Sequence, residues 1–287
     1  MKDLHIHSVY SDGELNINQI IEKVKRNNVD FFSITDHDTI IGSKEVVLNN
    51  LHHKNNLKFV TGIELSAKID KGKCHILGYN YDINNEFLNN SISELNEMSK
   101  YNICLIINYL KKNFNINISD SELNEIFNKS GSFNNVQISK LLVKLGYVKT
   151  MDEAFKFYIE EAKEKTRNEK HEFSPYDCIS IIKKAGGIPV LAHNYQLKKN
   201  YIELRKYLID LKIHGLMGLE CYHSGFKNAE MKNNVVLANS LGLLTTGGSD
   251  YHGVNVKSNI DIGTGKNYNL NIEDISIEKY LSKCLKY

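Results

Sequence analysis

Short apolar runs alternate with helix-spaced stretches through the first eighty residues. Leu4–His7 reads as a strand. Asn16-Ile-Asn-Gln19 resembles a capping box, and Ile17, Ile20, Ile21 and Val24 follow with helical spacing. Asp30–Thr35 reads as a second strand, Ser43–His53 as a helix, Lys58–Ile63 as a third strand and Lys73–Tyr79 as a fourth. Strand and helix alternating at this interval predict parallel βα units. The rhythm then gives way to helical patterns over Glu86–Phe114, Asp120–Lys129, Val136–Leu145, Met151–Lys165 and Pro175–Ala185. Strands return at Ile188–Ala192, Leu216–Cys221 and Leu243–Gly247, and Gly263–Lys266 is placed to close the last turn. The expected organisation is an α/β barrel from residues 1–85 and 187–287, with a helical insertion over 86–186 as a substrate cap.

The strand ends carry the chemistry. His5 and His7 sit two apart in an apolar strand, so they share a face while Leu4 and Ile6 take the other. Asp12 lies on the turn that follows. Asp36-His37-Asp38 closes the second strand, Glu64 the third, and His75 lies in the fourth. His193, Asp250 and His252 follow later strands, as does His223. Each has an ordinary explanation when taken alone: a core histidine, a helix cap, a loop network. In a parallel barrel, however, these ends share one face, where catalytic residues gather. Mixed imidazole and carboxylate donors suit Zn, Mn or Fe, and their number exceeds what one ion needs. His52, His53, His171 and His214 fall in helical or loop contexts and read as surface residues.

Bulk properties narrow the classes. The chain has 287 residues, 41% apolar and 24% charged, as expected of a globular protein with a substantial core. A net charge of +2 argues against a broad nucleic-acid surface. No apolar run is long enough to span a membrane. Five scattered cysteines without CxxC spacing predict a reducing, cytoplasmic setting.

The stretches Leu4-His-Ile-His7, Ser11-Asp-Gly13, Ile34-Thr-Asp-His-Asp-Thr39, Gly62-Ile-Glu64, His75-Ile-Leu-Gly-Tyr79, Leu191-Ala-His193 and Gly248-Ser-Asp-Tyr-His-Gly253 resemble the PHP (polymerase and histidinol phosphatase) family of metal-dependent phosphoesterases. The insertion resembles the family's nucleotide-phosphatase branch at Ile138–Val148 and Asp152–Phe155. The resemblance implies a distorted (β/α)7 TIM-like barrel holding two or three divalent ions (Mn, Fe or Zn). It assigns His5, His7, Glu64 and Asp250 to a first ion. Glu64 would bridge to a second, also held by His75 and His193, and Asp12, His37 and His252 would hold a third. Asp36 and Asp38 would orient His37 or a neighbour. The implied reaction is attack on phosphorus by a hydroxide shared between cations, with Glu64 and His193 at its centre and His223 as the acid or phosphate contact.

Arg205, Lys198, Lys199 and Arg167 are the cationic substrate contacts weighed. The branch often carries an Arg and a His before the insertion's apolar helix. Here that stretch is Phe133-Asn-Asn-Val-Gln137, which leaves the substrate open. The expected partner is a small phosphorylated molecule: a nucleoside 3′,5′-bisphosphate or a monophosphate. Short RNA cleaved 5′ to 3′, histidinol phosphate, an amidohydrolase reaction and a non-catalytic regulatory module are the alternatives.

Overall fold

The computed structural model describes residues 1–129, 132–133, 135–169 and 172–284. The chain divides into two compact units, Met1–Ser91 with Phe173–Tyr287, and Ile92–Glu172. The larger unit is α/β. Strands β1 (Lys2–Asp3), β2 (Phe31–Phe32) and β3 (Lys58–Phe59) form a parallel sheet in that order. Strands β4 (Gly62–Ala67), β5 (Cys74–Tyr79), β6 (Ile188–Leu191), β7 (Gly218–His223) and β8 (Leu244–Gly248) form a second sheet, also in chain order. A short antiparallel pair, β9 (Ile260–Asp261) and β10 (Gly265–Lys266), follows.

Backbone hydrogen bonds continue past the short strands. Leu4 N donates to Gly247 O at 3.0 Å, Asp250 N to His5 O at 2.8 Å and His7 N to Tyr251 O at 2.9 Å. On the other side, Ser33 N donates to Asp3 O and Thr35 N to Ile6 O, while Glu64 N donates to Asp36 O and Asp38 N to Glu64 O.

The parallel expectation fails at β5. It pairs antiparallel with both β4 and β6, whereas β6, β7 and β8 are parallel. Only residues 68–73 separate β4 from β5. That is too short for a parallel crossover, which needs a dozen residues or more. The reversal places His75: as the second residue of β5 it lies opposite Ser66, and its carbonyl accepts from Ala192 N, beside His193. Glu64, expected just past a strand, is instead the third residue of β4.

The helices follow their apolar stripes. Helix α1 (Ile17–Arg26) buries Ile17, Ile20, Ile21 and Val24, and starts at a reciprocal Asn16–Gln19 capping box. The stretch expected as one helix over Ser43–His53 is α2 (Ile41–Leu48) and α3 (Leu51–Lys54), separated at Asn50, whose φ of 54° is left-handed. Helix α4 (Glu86–Phe114) begins in the larger unit.

The smaller unit continues with α5 (Asp120–Lys129), α6 (Asn135–Lys144) and α7 (Met151–Ala154). A π-helical turn (Phe155–Ile159) and α8 (Glu160–Lys165) complete the stretch expected as one helix. Its core is apolar: Ile103, Ile106, Leu110, Ile138, Leu142, Ala154 and Ile159 are buried together.

Helix α9 (Pro175–Lys184), expected in the insertion, belongs to the larger unit. Its Ile182 packs so closely on Gly78 of β5 that a Cβ there would meet it at 2.8 Å. Helices α10 (Tyr201–Ile213), α11 (Asn228–Ser240) and α12 (Ser276–Cys284) complete this unit. Among the described residues no helix is long and apolar enough to cross a membrane.

Candidate metal centre

The structure gathers seven imidazoles, those of His5, His7, His37, His75, His193, His223 and His252, around a few buried carboxylates. Glu64 is at the middle and fully buried. Its Oε1 lies 2.8 Å from His75 Nδ1 and 2.7 Å from His193 Nε2. Its Oε2 lies 3.1 Å from His5 Nε2, 3.2 Å from His7 Nε2 and 3.3 Å from His37 Nδ1. Asp250 adds a second two-faced carboxylate. Oδ1 faces His5, His7 and His252 at 3.3–3.5 Å, while Oδ2 lies 3.2 Å from His223 Nε2 and 2.6 Å from Lys257 Nζ. Asp12 Oδ1 lies 3.5 Å from His7 Nδ1 and 3.3 Å from His252 Nε2.

Local structure positions each ligand-bearing segment. Asp36 accepts hydrogen bonds from Ser8 N (2.7 Å), Ser8 Oγ (2.6 Å) and Ser11 Oγ (2.6 Å). It therefore pins the turn that carries Asp12. Asp38 accepts from Ser66 N at 2.8 Å and braces β4 beyond Glu64. Asp250 has a left-handed backbone, φ 56°, which costs about 1 kcal/mol or more in a non-glycine residue. Gly248 just before it is pressed against the backbone and Cβ of His5, where a side chain would collide.

Two further buried acids had escaped the sequence reading. Glu220, fully buried in β7, lies 2.8 Å from His5 Nδ1 and accepts from the backbone N–H of His193 at 2.7 Å. A carboxylate on one ring nitrogen fixes the tautomer and leaves His5 Nε2 facing Glu64 and Asp250. Asp3 accepts from the backbone N–H groups of His5, Ser249 and Gly263 and joins β1 to the segment leading to Asp250. A lone acid inside an apolar strand run, as in Gly218-Leu-Glu-Cys221, was the available signal for Glu220.

The electrostatics couple the buried carboxylates to the imidazoles around them. Burial alone would raise the carboxyl of Glu64, but the imidazoles of His37, His5 and His75 outweigh it and hold it well below its ordinary value. Burial is likewise outweighed at Asp12, chiefly by His252 and His37, and at Asp250, chiefly by Lys257 and His252. Among the bases, burial pulls His37 down to about 3 and His193 down to about 4. At His7 burial is overcome by Asp250, Glu64 and Asp12, which push it up to about 9. Although carboxylate oxygens lie 3.2–3.5 Å away, neither ring nitrogen of the fully buried His7, nor Nδ1 of His37, has a partner in hydrogen-bonding geometry among the described residues. Buried polar atoms left in this way are costly unless something binds them.

Among the described residues, four sets of three or four donor atoms lie within 4.8 Å of one another: His5–His7–Glu64–Asp250, His7–Asp12–His37–His252, His37–Glu64–His75 and His5–Glu220–His223. Their chemistry fits divalent metal ions.

The remaining candidates fall elsewhere. His223 is buried and lines a cavity of about 330 Å³ with Tyr195, Asp250, Lys257 and Lys266. Lys198, Lys199 and Arg205 are exposed on the segment after His193, with Lys199 lying over the Tyr207 ring. The lysines lining the cavity beside Asp250 are Lys257 and Lys266, neither of which the sequence reading had singled out. Arg167 belongs to the helical unit. His53 and His214 are exposed as expected, but His52 is half-buried against Phe59. His171 lies outside the described residues.

Strands presenting convergent imidazoles and carboxylates on an α/β frame define a metal-dependent hydrolase. Residues 3–176 match the PHP domain model, and the chain belongs to that family of metal-dependent phosphoesterases. It is 26% identical over 250 residues to a 5′-3′ exoribonuclease of Haemophilus influenzae, covering 87% of this chain and 89% of the relative. It is 24% identical to a 3′,5′-nucleoside bisphosphate phosphatase of Chromobacterium violaceum, covering 87% and 86%. It is 25% identical to a phosphoribosyl 1,2-cyclic phosphate 1,2-diphosphodiesterase of Eggerthella lenta, covering 88% and 94%. Among solved structures, an amidohydrolase from Chromobacterium violaceum with bound sulfate shares the fold at a TM-score of 0.76 and 21% identity, over 98% of this chain and 95% of the other.

Proposed function

We propose that this protein hydrolyses a phosphate monoester of a nucleotide, a nucleoside 3′,5′-bisphosphate or a monophosphate, at the cluster centred on Glu64. The observation that carries the reading is the division of labour on that carboxylate. One oxygen faces His75 and His193 and the other faces His5, His7 and His37, as befits a group shared between two cations. His5, His7, Glu64 and Asp250 would hold one ion and Glu64, His75 and His193 a second. Asp12, His37 and His252 would hold a third where three are bound, with Mn, Fe and Zn as the candidates. When bound, such ions lower the pKa of water and neutralise phosphoryl charge.

The protein's own groups do the positioning. Glu220 holds His5 in one tautomer. His223 Nδ1 accepts from Gly225 N–H at 2.8 Å, so its proton sits on Nε2, the nitrogen beside Asp250 at 3.2 Å. That N–H faces Asp250 Oδ2 here, and His223, which lines the cavity, is the proposed donor to the leaving oxygen.

The backbone bonds from the first strand to the segments after β2 and β8 support a distorted (β/α)7 barrel as the frame. A cytoplasmic setting accords with free Cys74, Cys104, Cys178 and Cys221.

The test is a phosphate-release screen over nucleotides, bisphosphates and histidinol phosphate with Mn, Fe and Zn each supplied. Release from a nucleotide is expected, and none from any phosphoester would overturn the reading. The second reading, 5′ to 3′ cleavage of short RNA, is favoured by the name of the Haemophilus influenzae relative. A labelled oligonucleotide separates the two, since an exonuclease releases mononucleotides and a phosphatase releases only terminal phosphate.

A further inference from the structure

The cavity beside Asp250 has a charge pattern that the metal cluster does not explain. It has a volume of about 330 Å³, at the lower end for small-molecule sites. One wall is the end of β7 and the turn after it, His223 to Gly225, and Tyr195 lies against this wall with its ring 5.6 Å from that of His223. The other is the segment from Val256 to Lys266.

Asp250 is the acid lining this cavity, against two lysines. Its Oδ1 is turned to His5, His7 and His252, so only Oδ2 is directed to His223 and Lys257. Lys257 Nζ lies 2.6 Å from that oxygen, with its side chain still 36% exposed. Lys266 has no ion-pair partner among the described residues. It sits on β10, held by pairing with Ile260 and by its backbone N–H donating to Asn269 Oδ1 at 2.8 Å. The Asn269 side chain in turn donates to Ser224 O at 2.9 Å and Phe226 O at 3.2 Å, tying the lysine-bearing hairpin to the opposite wall. The cavity is therefore framed on both sides and carries more positive than negative charge. Through Asp250 and His223 it adjoins the cluster.

We propose that Lys257 and Lys266 form an anion subsite that holds a second, non-reacting phosphate of the substrate. This deepens the phosphoesterase reading and rests on it for the identity of the reacting group. The second phosphate could belong to a nucleoside bisphosphate or to the next internucleotide linkage of an RNA. The shared chemistry is a phosphate one sugar away from the one that is cleaved.

The direct experiment compares wild-type protein with K266A, K266R and K257A in Mn-containing buffer. Adenosine 5′-monophosphate, adenosine 3′,5′-bisphosphate and the dinucleotide pApA are each titrated calorimetrically and assayed for release of phosphate and of mononucleotide, with metal content measured alongside. K266A should weaken binding and raise KM for a ligand with two phosphate groups by about tenfold or more, with the monophosphate changing by less than about twofold and K266R close to wild type.

Loss confined to the bisphosphate identifies the small substrate, and loss confined to pApA identifies the RNA linkage. Equal changes for monophosphate and both longer ligands, or no change in any, would overturn the subsite. If wild-type protein releases phosphate from nothing, the catalytic reading fails separately and the titrations still decide the subsite. K257A must show the same ligand preference with its metal content retained. A loss that tracks missing metal would show that Lys257 only braces Asp250.

Discussion

Both units of this chain bury apolar cores, but only the strand-built unit also buries a charged centre. In the helical unit the buried residues are Ile138, Leu142, Ala154, Ile159 and their neighbours, and stability follows from apolar area and close packing. In the strand-built unit the centre is Glu64, Glu220, Asp250, Asp12 and seven imidazoles, groups whose burial is unfavourable until paired. The first arrangement makes a core. The second is the candidate place for cations, and the peptide frame and apolar clusters around it hold it together.

That contrast can be broken most severely at Glu64. Glu64→Gln should lower turnover by roughly a thousandfold or more while the chain stays folded. Near-normal activity in the variant would remove Glu64 from the centre of the account. In the helical unit the same logic inverts. Leu142→Ala should cost about 2–5 kcal/mol in chemical denaturation by leaving a cavity, with metal content per folded molecule unchanged. Loss of metal without loss of stability would show that the two units are not energetically distinct in this way.

Glu220→Gln sharpens the comparison inside the polar centre, because Glu220 touches His5 and the backbone of His193 and belongs to the support. Metal affinity by competition with a chelating dye should fall about 10- to 100-fold, and Glu220→Asp should recover part of it. Unchanged affinity would make Glu220 a merely structural acid.

The cluster also sets a pH profile for the chelator-treated protein. Burial lowers His37 to about 3 and His193 to about 4, so between pH 4 and 6.5 the unfolded chain binds protons that the folded chain refuses. Stability therefore rises with pH across that window. His7, pushed up to about 9, keeps a proton that the unfolded chain releases above 6.5, so its contribution is lost as pH rises through 9. A stability maximum near pH 6.5 is expected in urea titrations, and a steady rise to pH 9 would contradict it. The smallest effect is at the periphery: Asn16→Ala, which removes the cap of α1, should cost about 1 kcal/mol in the same measurement.

What could be read from the sequence followed the physics of each element. Strand alternation placed His5 and His7 on one face, and the capping box placed the start of α1. The collection of Glu64, His75, His193, Asp250 and His252 was legible because each follows or sits within an apolar run. Glu220 was not, since it interrupts such a run with no partner nearby in sequence. Strand spacing alone does not reveal the reversal of β5; the six residues between β4 and β5, too few for a crossover, do. The Ser43–His53 pattern concealed the left-handed Asn50 that divides it into two helices. Lys257 and Lys266 lie in a loop and a short hairpin of a lysine-rich chain, where nothing local marks a lysine as facing a cavity. Lys198, Lys199 and Arg205 follow His193 closely in sequence but stand exposed.

The central claim is that the buried imidazoles and carboxylates around Glu64 hold metal ions and that nucleotide phosphoester hydrolysis depends on them. The most direct measurement strips the wild-type and Glu64→Gln proteins with chelator, reloads each with Mn, Fe or Zn, and follows bound metal and phosphate release from a nucleotide together. Activity should vanish on stripping and return with metal in the wild type, and stay absent in the variant. Hydrolysis that survives stripping, or that returns equally in Glu64→Gln, would contradict the account.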